Sequence, residues 1–306
     1  MGSVAKLFGK TPGAVRRING TGDLDVSKIN GQDLDELLLD LTPETPVVAF
    51  SLRRLSKAYK GNCLRVRESL GNTETDIGFT VDGVIDTAAI ASHCGPNSGY
   101  VVKIYDQSSN GNDATAPDTA RQPLIYDAGT QVTLNSKPAF DLLNDAGNRS
   151  LNTAYSILNA STSAATQFIV GCTNTGTPAQ FVKIQGPPAA HGINGGTAST
   201  NLRWSVVSYN STIYFGYPDA ADIAQGTQYL VTEEMLGASG TFKGYHNGAL
   251  IKSGTNGSGT LQATRVQLGG GGGRHHTWQE FLFYDVSITS RTDIEDNIDT
   301  YYNLPT

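Results

Sequence analysis

The chain has 306 residues, a formal net charge of −6, 16% charged residues, 35 glycines and 12 prolines. The acidic balance argues against nucleic acid as a partner, because phosphate neutralisation needs clustered Lys and Arg on one face. No run approaches the ~18 apolar residues that a bilayer span requires, so membrane insertion is not expected.

The first 46 residues read as a separate arm. Lys6, Lys10, Arg16 and Arg17 come first, and Asp23, Asp25, Asp33, Asp35, Glu36, Asp40 and Glu44 follow. Within "GQDLDELLLDL", Leu34, Leu37, Leu38 and Leu41 recur at helical spacing and predict one apolar stripe on a short helix, ended by Pro43 and Pro46. So short a helix is marginal alone, and its stripe is expected to pack on the main domain or on another chain. The opening "MGSVAKLFGKTPGAVRR" lacks the apolar run of a secretory leader, and Cys63, Cys94 and Cys172 form neither a disulfide framework nor a zinc site. A soluble chain made in a reducing cytoplasm, with no cofactor and no metal, is the expectation.

Residues 47–306 read as one β-rich domain. Short helices are expected at 51–59, capped by Ser51, and at 86–94, capped by Asp86. Strands are expected at 63–67, 99–105, 122–127, 167–172, 180–185, 202–209, 211–217, 228–234, 242–254, 265–270 and 278–286, with Asn247-Gly248 as a type I′ hairpin turn. Ser290 with Asp293 reads as a capping pair opening a last helix, with Ile294, Ile298 and Tyr301 on one face. Many short strands between Gly, Asn and Ser turns point to two packed antiparallel sheets, all-β with a few short helices.

Four stretches then stand out: "AFSLRRLSKAYKGNCLRVRES" (49–69), "TDIGFTVDGVIDTAAI" (75–90), "VVKIYDQSSNGNDATA" (101–116) and "LGGGGGRHHTWQEFLFYDVSIT" (268–289). They resemble the catalytic-domain family of α-L-arabinofuranosidase B and related modules of bacteriophage structural proteins. The resemblance implies a concanavalin A-like jelly-roll sandwich. It also implies a nucleophilic Glu in a D-L-E-N-G-like strand, an acid/base Asp after a glycine pair, and adjacent cysteines beneath the sugar subsite. The nearest counterparts here are 203–216, which has no acidic residue, and 268–276, with Gly273 or Arg274 in place of the Asp; Cys172 is followed by Thr173. With both carboxylates missing from those segments, the expectation is not an enzyme but a virion structural protein, a fibre, capsid decoration or tail component. Its arm (Arg16, Arg17, Leu34, Leu37, Leu38, Leu41) would dock to other virion proteins, in a homo-oligomer with a trimer favoured. A module binding a host surface glycan is the alternative, and an active arabinofuranosidase with relocated acids, Glu280 among them, the second alternative.

Arg274, His275, His276, Trp278 and Glu280 are the candidate contacts for glycan or partner, a polar and aromatic rim; burial of Trp278 as core and pairing of Glu280 with an arginine are the competing readings. Neighbouring histidines on an extended segment point oppositely, which disfavours a shared metal ion. Asp106, Gln107, Asn110 and Asn112 in "YDQSSNGND" read as a structural loop whose side chains satisfy nearby backbone, with sugar hydroxyls or calcium as the other use of such oxygens.

Overall fold

The computed structural model describes residues 28–29, 32–33, 37–142, 149–154, 157, 164–175, 179–185, 190–196, 203–206, 226–236, 241–255, 265–270 and 275–305. The body is built from β1 (Val48–Ser51), β2 (Leu64–Glu68), β3 (Glu74–Ile77), α1 (Thr87–Cys94), β4 (Gly99–Ile104), β5 (Ala114–Thr115), β6 (Leu124–Asp127), β7 (Phe140–Asp141) and β8 (Ser150–Thr153). It continues with β9 (Ala165–Thr175), β10 (Ala179–Gln185), β11 (Ala190–Gly196), β12 (Arg203–Val206), β13 (Tyr229–Leu236), β14 (Thr241–His246), β15 (Ala249–Thr255), β16 (Arg265–Gly269), β17 (His275–Tyr284) and α2 (Arg291–Tyr302).

All pairings among these strands are antiparallel. One layer runs β15-β14-β13-β9-β17-β1, and the other runs β3-β2-β4-β5-β8-β16-β10-β11-β12. The short β7 joins them, pairing with β17 on one side and with β6 on the other, and β6 pairs in turn with β4. The fold is a β-sandwich of jelly-roll type, as the turn-rich composition requires.

Two apolar clusters hold it. Val66, Ile104, Ile125, Phe140, Ile169, Val231, Trp278 and Phe281 fill the space between the layers. On the far face of the first layer, Phe168, Val170, Leu230, Leu282 and Tyr284 meet Ile294, Ile298 and Tyr302 of α2, with Leu38 at the margin. Both faces of β13 and β17 are therefore covered, so that even Glu233, Glu234, Gln279 and Glu280 are buried.

The hairpin at Asn247 and Gly248 has positive φ at both residues, 46° and 80°, as a type I′ turn demands. Asp86 caps α1 by accepting from Ala89 N at 2.9 Å. Three local expectations fail for physical reasons. Residues 51–59 form no helix, because Ser51 ends β1 and its hydroxyl is committed to Glu280. Ser290 makes no side-chain cap on α2, and Tyr302 rather than Tyr301 is the buried tyrosine of that helix. The leucine stripe 34–41 ends in a single 3-10 turn, Leu38–Asp40, where Leu38 is buried and Leu39 N donates to Leu55 O at 2.8 Å. Asp40 accepts from Ser56 Oγ and Lys57 N, so this end of the arm packs on its own domain. Arg16, Arg17 and Leu34, like the expected strand 211–217, lie outside the described residues.

The open edge of β1 is closed by the 105–113 loop rather than by another strand. Gln107 N donates to Ala49 O at 2.8 Å and Ala49 N to Asp106 Oδ1 at 2.9 Å, a side chain completing the ladder. The Asp106 carboxylate also takes Ser108 N and Asn112 N, while the Asn110 and Asn112 amides donate to Val47 O and the Gln107 amide bridges Ser51 O, Arg53 O and Leu55 N. All four side chains are thus committed to backbone, which blunts an edge that would otherwise invite pairing with another chain.

Glu280 of β17 is fully buried and holds three elements together. It takes both Arg53 Nε at 2.9 Å and Nη2 at 3.0 Å, together with Ser51 Oγ at 2.7 Å and the Tyr302 hydroxyl at 3.2 Å. Replacing one member leaves the other charge buried and alone, so Glu280→Gln is expected to cost about 3–5 kcal/mol in urea denaturation. The pair Arg53→Met with Glu280→Leu is expected to cost clearly less than the sum of the two single changes.

Candidate functional site

At the junction of β7, β17 and β9 the alternation of strand side chains sorts core from surface. Phe140 and Trp278 are directly opposed and stack inward, centroids 4.7 Å apart at 23°. Their neighbours Asp141 and Thr277, also directly opposed, therefore point to the other face.

There a directional chain of hydrogen bonds forms. The Cys172 thiol donates to Asn174 Oδ1 at 2.9 Å, Asn174 Nδ2 donates to Thr277 Oγ1 at 2.8 Å, and Thr277 Oγ1 donates to Asp141 Oδ1 at 2.8 Å. His275 Nε2 lies 3.0 Å from the same Asp141 oxygen, and the two side chains are 28% and 19% exposed, so this end of the chain opens to solvent. The Cys172 end is sealed. Burial pushes its thiol up to about 11, against the hydrogen bonds of Thr277, so it serves as a neutral donor and not as a nucleophile. An open carboxylate beside an imidazole can hold and deliver a proton, and the amide and hydroxyl behind it fix the carboxylate's orientation.

The other candidate carboxylates are placed elsewhere. Glu233 on β13 accepts from Gln167 Nε2 at 2.5 Å, and burial pushes it up to about 8. Gln167 precedes Cys172 by five positions on β9, roughly 17 Å of strand, too far for Glu233 to act with Asp141 across one glycosidic bond. Glu234, on the opposite side of β13, takes the Tyr245 hydroxyl at 2.7 Å.

Among the described residues of the expected glycan-contacting rim, only His275 is partly exposed. Trp278 is buried against Phe140, His276 is 2% exposed, and Glu280 is locked to Arg53, because this stretch is a central strand covered on both faces rather than a loop. Arg274 lies outside the described residues. Sequence reasoning missed Asp141, Asn174 and Thr277. The signal for Asp141 was the alternation in "PAFDL", which turns Phe140 inward and the acid outward.

Residues 41–179 match the family model of the α-L-arabinofuranosidase B catalytic domain. The chain is 34% identical over 115 residues to α-L-arabinofuranosidase B of Emericella nidulans, a match covering 34% of this chain and 22% of that protein. The enzyme of Aspergillus oryzae is 33% identical over 124 residues, covering 37% of this chain and 24% of the relative. The matched stretch thus spans about a quarter of these relatives' length or less. A crystal structure of arabinofuranosidase complexed with arabinofuranosyl-α-1,2-xylobiose superposes with a TM-score of 0.67 at 20% identity, covering 86% of this chain and 65% of that one. An α-L-arabinofuranosidase soaked with a cyclic sulfate inhibitor superposes with a TM-score of 0.63 at 20% identity, with the same coverage. The chain is similar to the catalytic domain of α-L-arabinofuranosidase B.

These matches overturn the expectation that the chain is a virion structural protein and not an enzyme, and with it the virion location, the virion partners of the arm and the trimer. That expectation rested on segments 203–216 and 268–276, which lie beyond the matched residues 41–179 and largely beyond the described ones. An acid missing from two short segments does not empty the surface of carboxylates, as Asp141 shows. The packing of Leu38 inside its own domain removes one face the arm was expected to offer to a particle.

The folded state holds a proton on Glu233 up to about pH 8, whereas the unfolded chain releases it near the ordinary value of 4.5. Stability from this group is therefore complete below that ordinary value and is lost as pH rises toward about 8. Glu233→Gln is expected to leave the melting temperature nearly unchanged in acid and to raise it at alkaline pH. A variant whose melting temperature tracks the wild type across this window contradicts the assignment.

Proposed function

We propose that the chain is a glycoside hydrolase of the α-L-arabinofuranosidase type, acting on α-L-arabinofuranosyl groups at the surface around Asp141. One observation carries the reading. A directional hydrogen-bond chain runs from the sealed Cys172 thiol, followed here by Thr173 where the resembled family has a second cysteine, to the partly exposed Asp141 beside His275. Asp141, Cys172 and Asn174 fall inside the residues that match the catalytic-domain model, and β17 brings in Thr277 and His275 from 100 residues further along the chain or more.

Glycoside hydrolysis needs a group that protonates the leaving oxygen and a carboxylate acting across the sugar ring. Asp141 takes the first role in this reading. Thr277 fixes one of its oxygens, His275 Nε2 lies 3.0 Å from the same oxygen, and the neutral Cys172 thiol anchors Asn174 without competing for the sugar. The arabinofuranosyl substrate class follows from the relatives, each of which is an arabinofuranosidase.

The full chain is expected to release nitrophenol from nitrophenyl α-L-arabinofuranoside. Asp141→Asn, an isosteric change at a partly exposed position, is expected to lower kcat/KM by about 10²–10⁴-fold with the melting temperature retained. Replacing the remaining acidic residues one at a time by their amides, in the same assay, would identify the second carboxylate. Absence of release by the wild-type chain ends the hydrolase reading, and an Asp141→Asn chain as active as wild type removes Asp141 from it.

A further inference from the structure

Three strands meet around the Asp141 carboxylate, and the way their polar groups are connected decides where a proton can sit. A hydroxyl has one proton to give and two lone pairs that receive. Thr277 Oγ1 receives from Asn174 Nδ2 at 2.8 Å and lies 2.8 Å from Asp141 Oδ1. Its single proton has two claimants, the Asp141 carboxylate and the Cys172 sulfur, which interacts with the same hydroxyl. A charged oxygen is a far stronger acceptor than a neutral sulfur, so the proton goes to Asp141.

The direction of Asn174 is set at the buried end. Cys172 is sealed, burial keeps its thiol protonated, and its Sγ lies 2.9 Å from Asn174 Oδ1. Turning the amide over would aim Nδ2 at the sulfur, a weak acceptor, and Oδ1 at Thr277, whose proton it would then compete for. Asp141 would be left facing a lone pair. The observed arrangement gives the thiol, the amide and the hydroxyl one good acceptor each. Asp141 Oδ1 is held as an acceptor in consequence, and His275 Nε2 lies 3.0 Å from the same atom. Among the described residues Oδ2 has no hydrogen-bond partner, and the residue directly opposite Asp141 on β6 is the apolar Leu124. The titratable side chains that face the carboxylate, among those described, are His275 from β17 and Cys172 from β9.

We propose that Asn174 is a positioning residue of this site: its N–H obliges the Thr277 hydroxyl to donate to Asp141 Oδ1, so that the proton Asp141 delivers is carried on Oδ2. The catalytic half of this inference rests on the hydrolase reading above, whereas the direction of the chain stands on the hydrogen bonds themselves. In that reading the Oδ2 proton passes to the glycosidic oxygen. The bond from that oxygen to the sugar carbon breaks with its electrons on the oxygen, and the second carboxylate takes up the carbon. Thr277 stabilises the Asp141 carboxylate left behind. Asn174→Asp keeps the shape of the side chain and removes its N–H, so the Thr277 proton is drawn away from Asp141.

The test is carbon-13 NMR titration of the side-chain carboxyl groups of the full chain, with the Asp141 signal assigned by its loss in Asp141→Asn. A donor to the ionised carboxylate favours that form, so removing the donor raises the pH at which the signal moves. Asn174→Asp and Thr277→Val are each expected to raise it by about one pH unit or more relative to the wild-type chain. Thr277→Ser, which keeps the hydroxyl, is expected to recover most of what Thr277→Val loses. On nitrophenyl α-L-arabinofuranoside the first two variants are expected to lose about tenfold or more in kcat, with KM and melting temperature retained. A neutron structure at acid pH is expected to show the deuteron of Asp141 on Oδ2. An unmoved signal in either variant overturns the proposal, as does Thr277→Ser behaving like Thr277→Val, or a deuteron on Oδ1. If Asn174→Asp does not fold, Asn174→Ala gives the same readout. Hydrolysis by the same wild-type preparation separates the two ideas. A moved signal without hydrolysis sinks the hydrolase reading alone, and hydrolysis with an unmoved signal sinks the role of Asn174 alone.

Discussion

The structure depends on one strand that cannot move. From His276 to Tyr284 every residue of β17 is buried, with Trp278, Phe281 and Phe283 turned to the space between the layers and Leu282 and Tyr284 to the helix side. A slip of one position would reverse every one of these side chains and bring Glu280 out of its pocket with Arg53, so the register is fixed by packing and by charge at once. The irregularity in its pairing with β9, between Val170 and Gly171, falls where Gln279 interrupts the regular count. Beyond it the outward set becomes Thr277 and His275, which are polar. The same strand is thus packed into the core at one end and turns polar side chains outward at the other, and the change occurs at the bulge.

Around that strand the protein manages its edges with side chains. The ladder of β1 ends on the Asp106 carboxylate and the Gln107 amide rather than on another strand, and the 37–46 segment is stitched to the body by Leu38, Asp40 and Glu44. These contacts lie at the α2 end of the first layer. On the other layer, Asp141, Leu124 and Tyr100 of β7, β6 and β4 are directly opposed in turn and partly exposed.

The architecture was legible in the sequence because its signals are local and repeated. Asn247-Gly248 can adopt the two positive φ angles of a tight hairpin, and Asp86 can cap a helix. The site was less legible for two reasons. Asp141, Thr277 and Cys172 belong to three strands separated by up to 136 positions, and only pairing brings them together. The histidine and tryptophan stretch was conspicuous as residue types, but Trp278 and Glu280 are conspicuous because they anchor the core. Ser51 misled in the same way, since a hydroxyl that could cap a helix also satisfies a buried carboxylate, and the ion pair with Arg53 decides between the two uses.

Under the proposed hydrolase reading, the inward turn of Trp278 also constrains how this surface would recognise a sugar. A binding face built on an exposed tryptophan relies on stacking, which tolerates many sugars because every pyranose has an apolar face. Here the tryptophan is committed to packing against Phe140, and the partly exposed residues are Asp141, His275 and Tyr100. Recognition on such a face falls to hydrogen bonds and charge, whose partners must be matched atom for atom because an unmatched polar group loses its hydration and gains nothing in exchange. Selectivity on such a surface would follow from the spacing of Asp141, Leu124 and Tyr100 across the paired strands. That spacing is set by strand pairing, the least adjustable dimension in the fold.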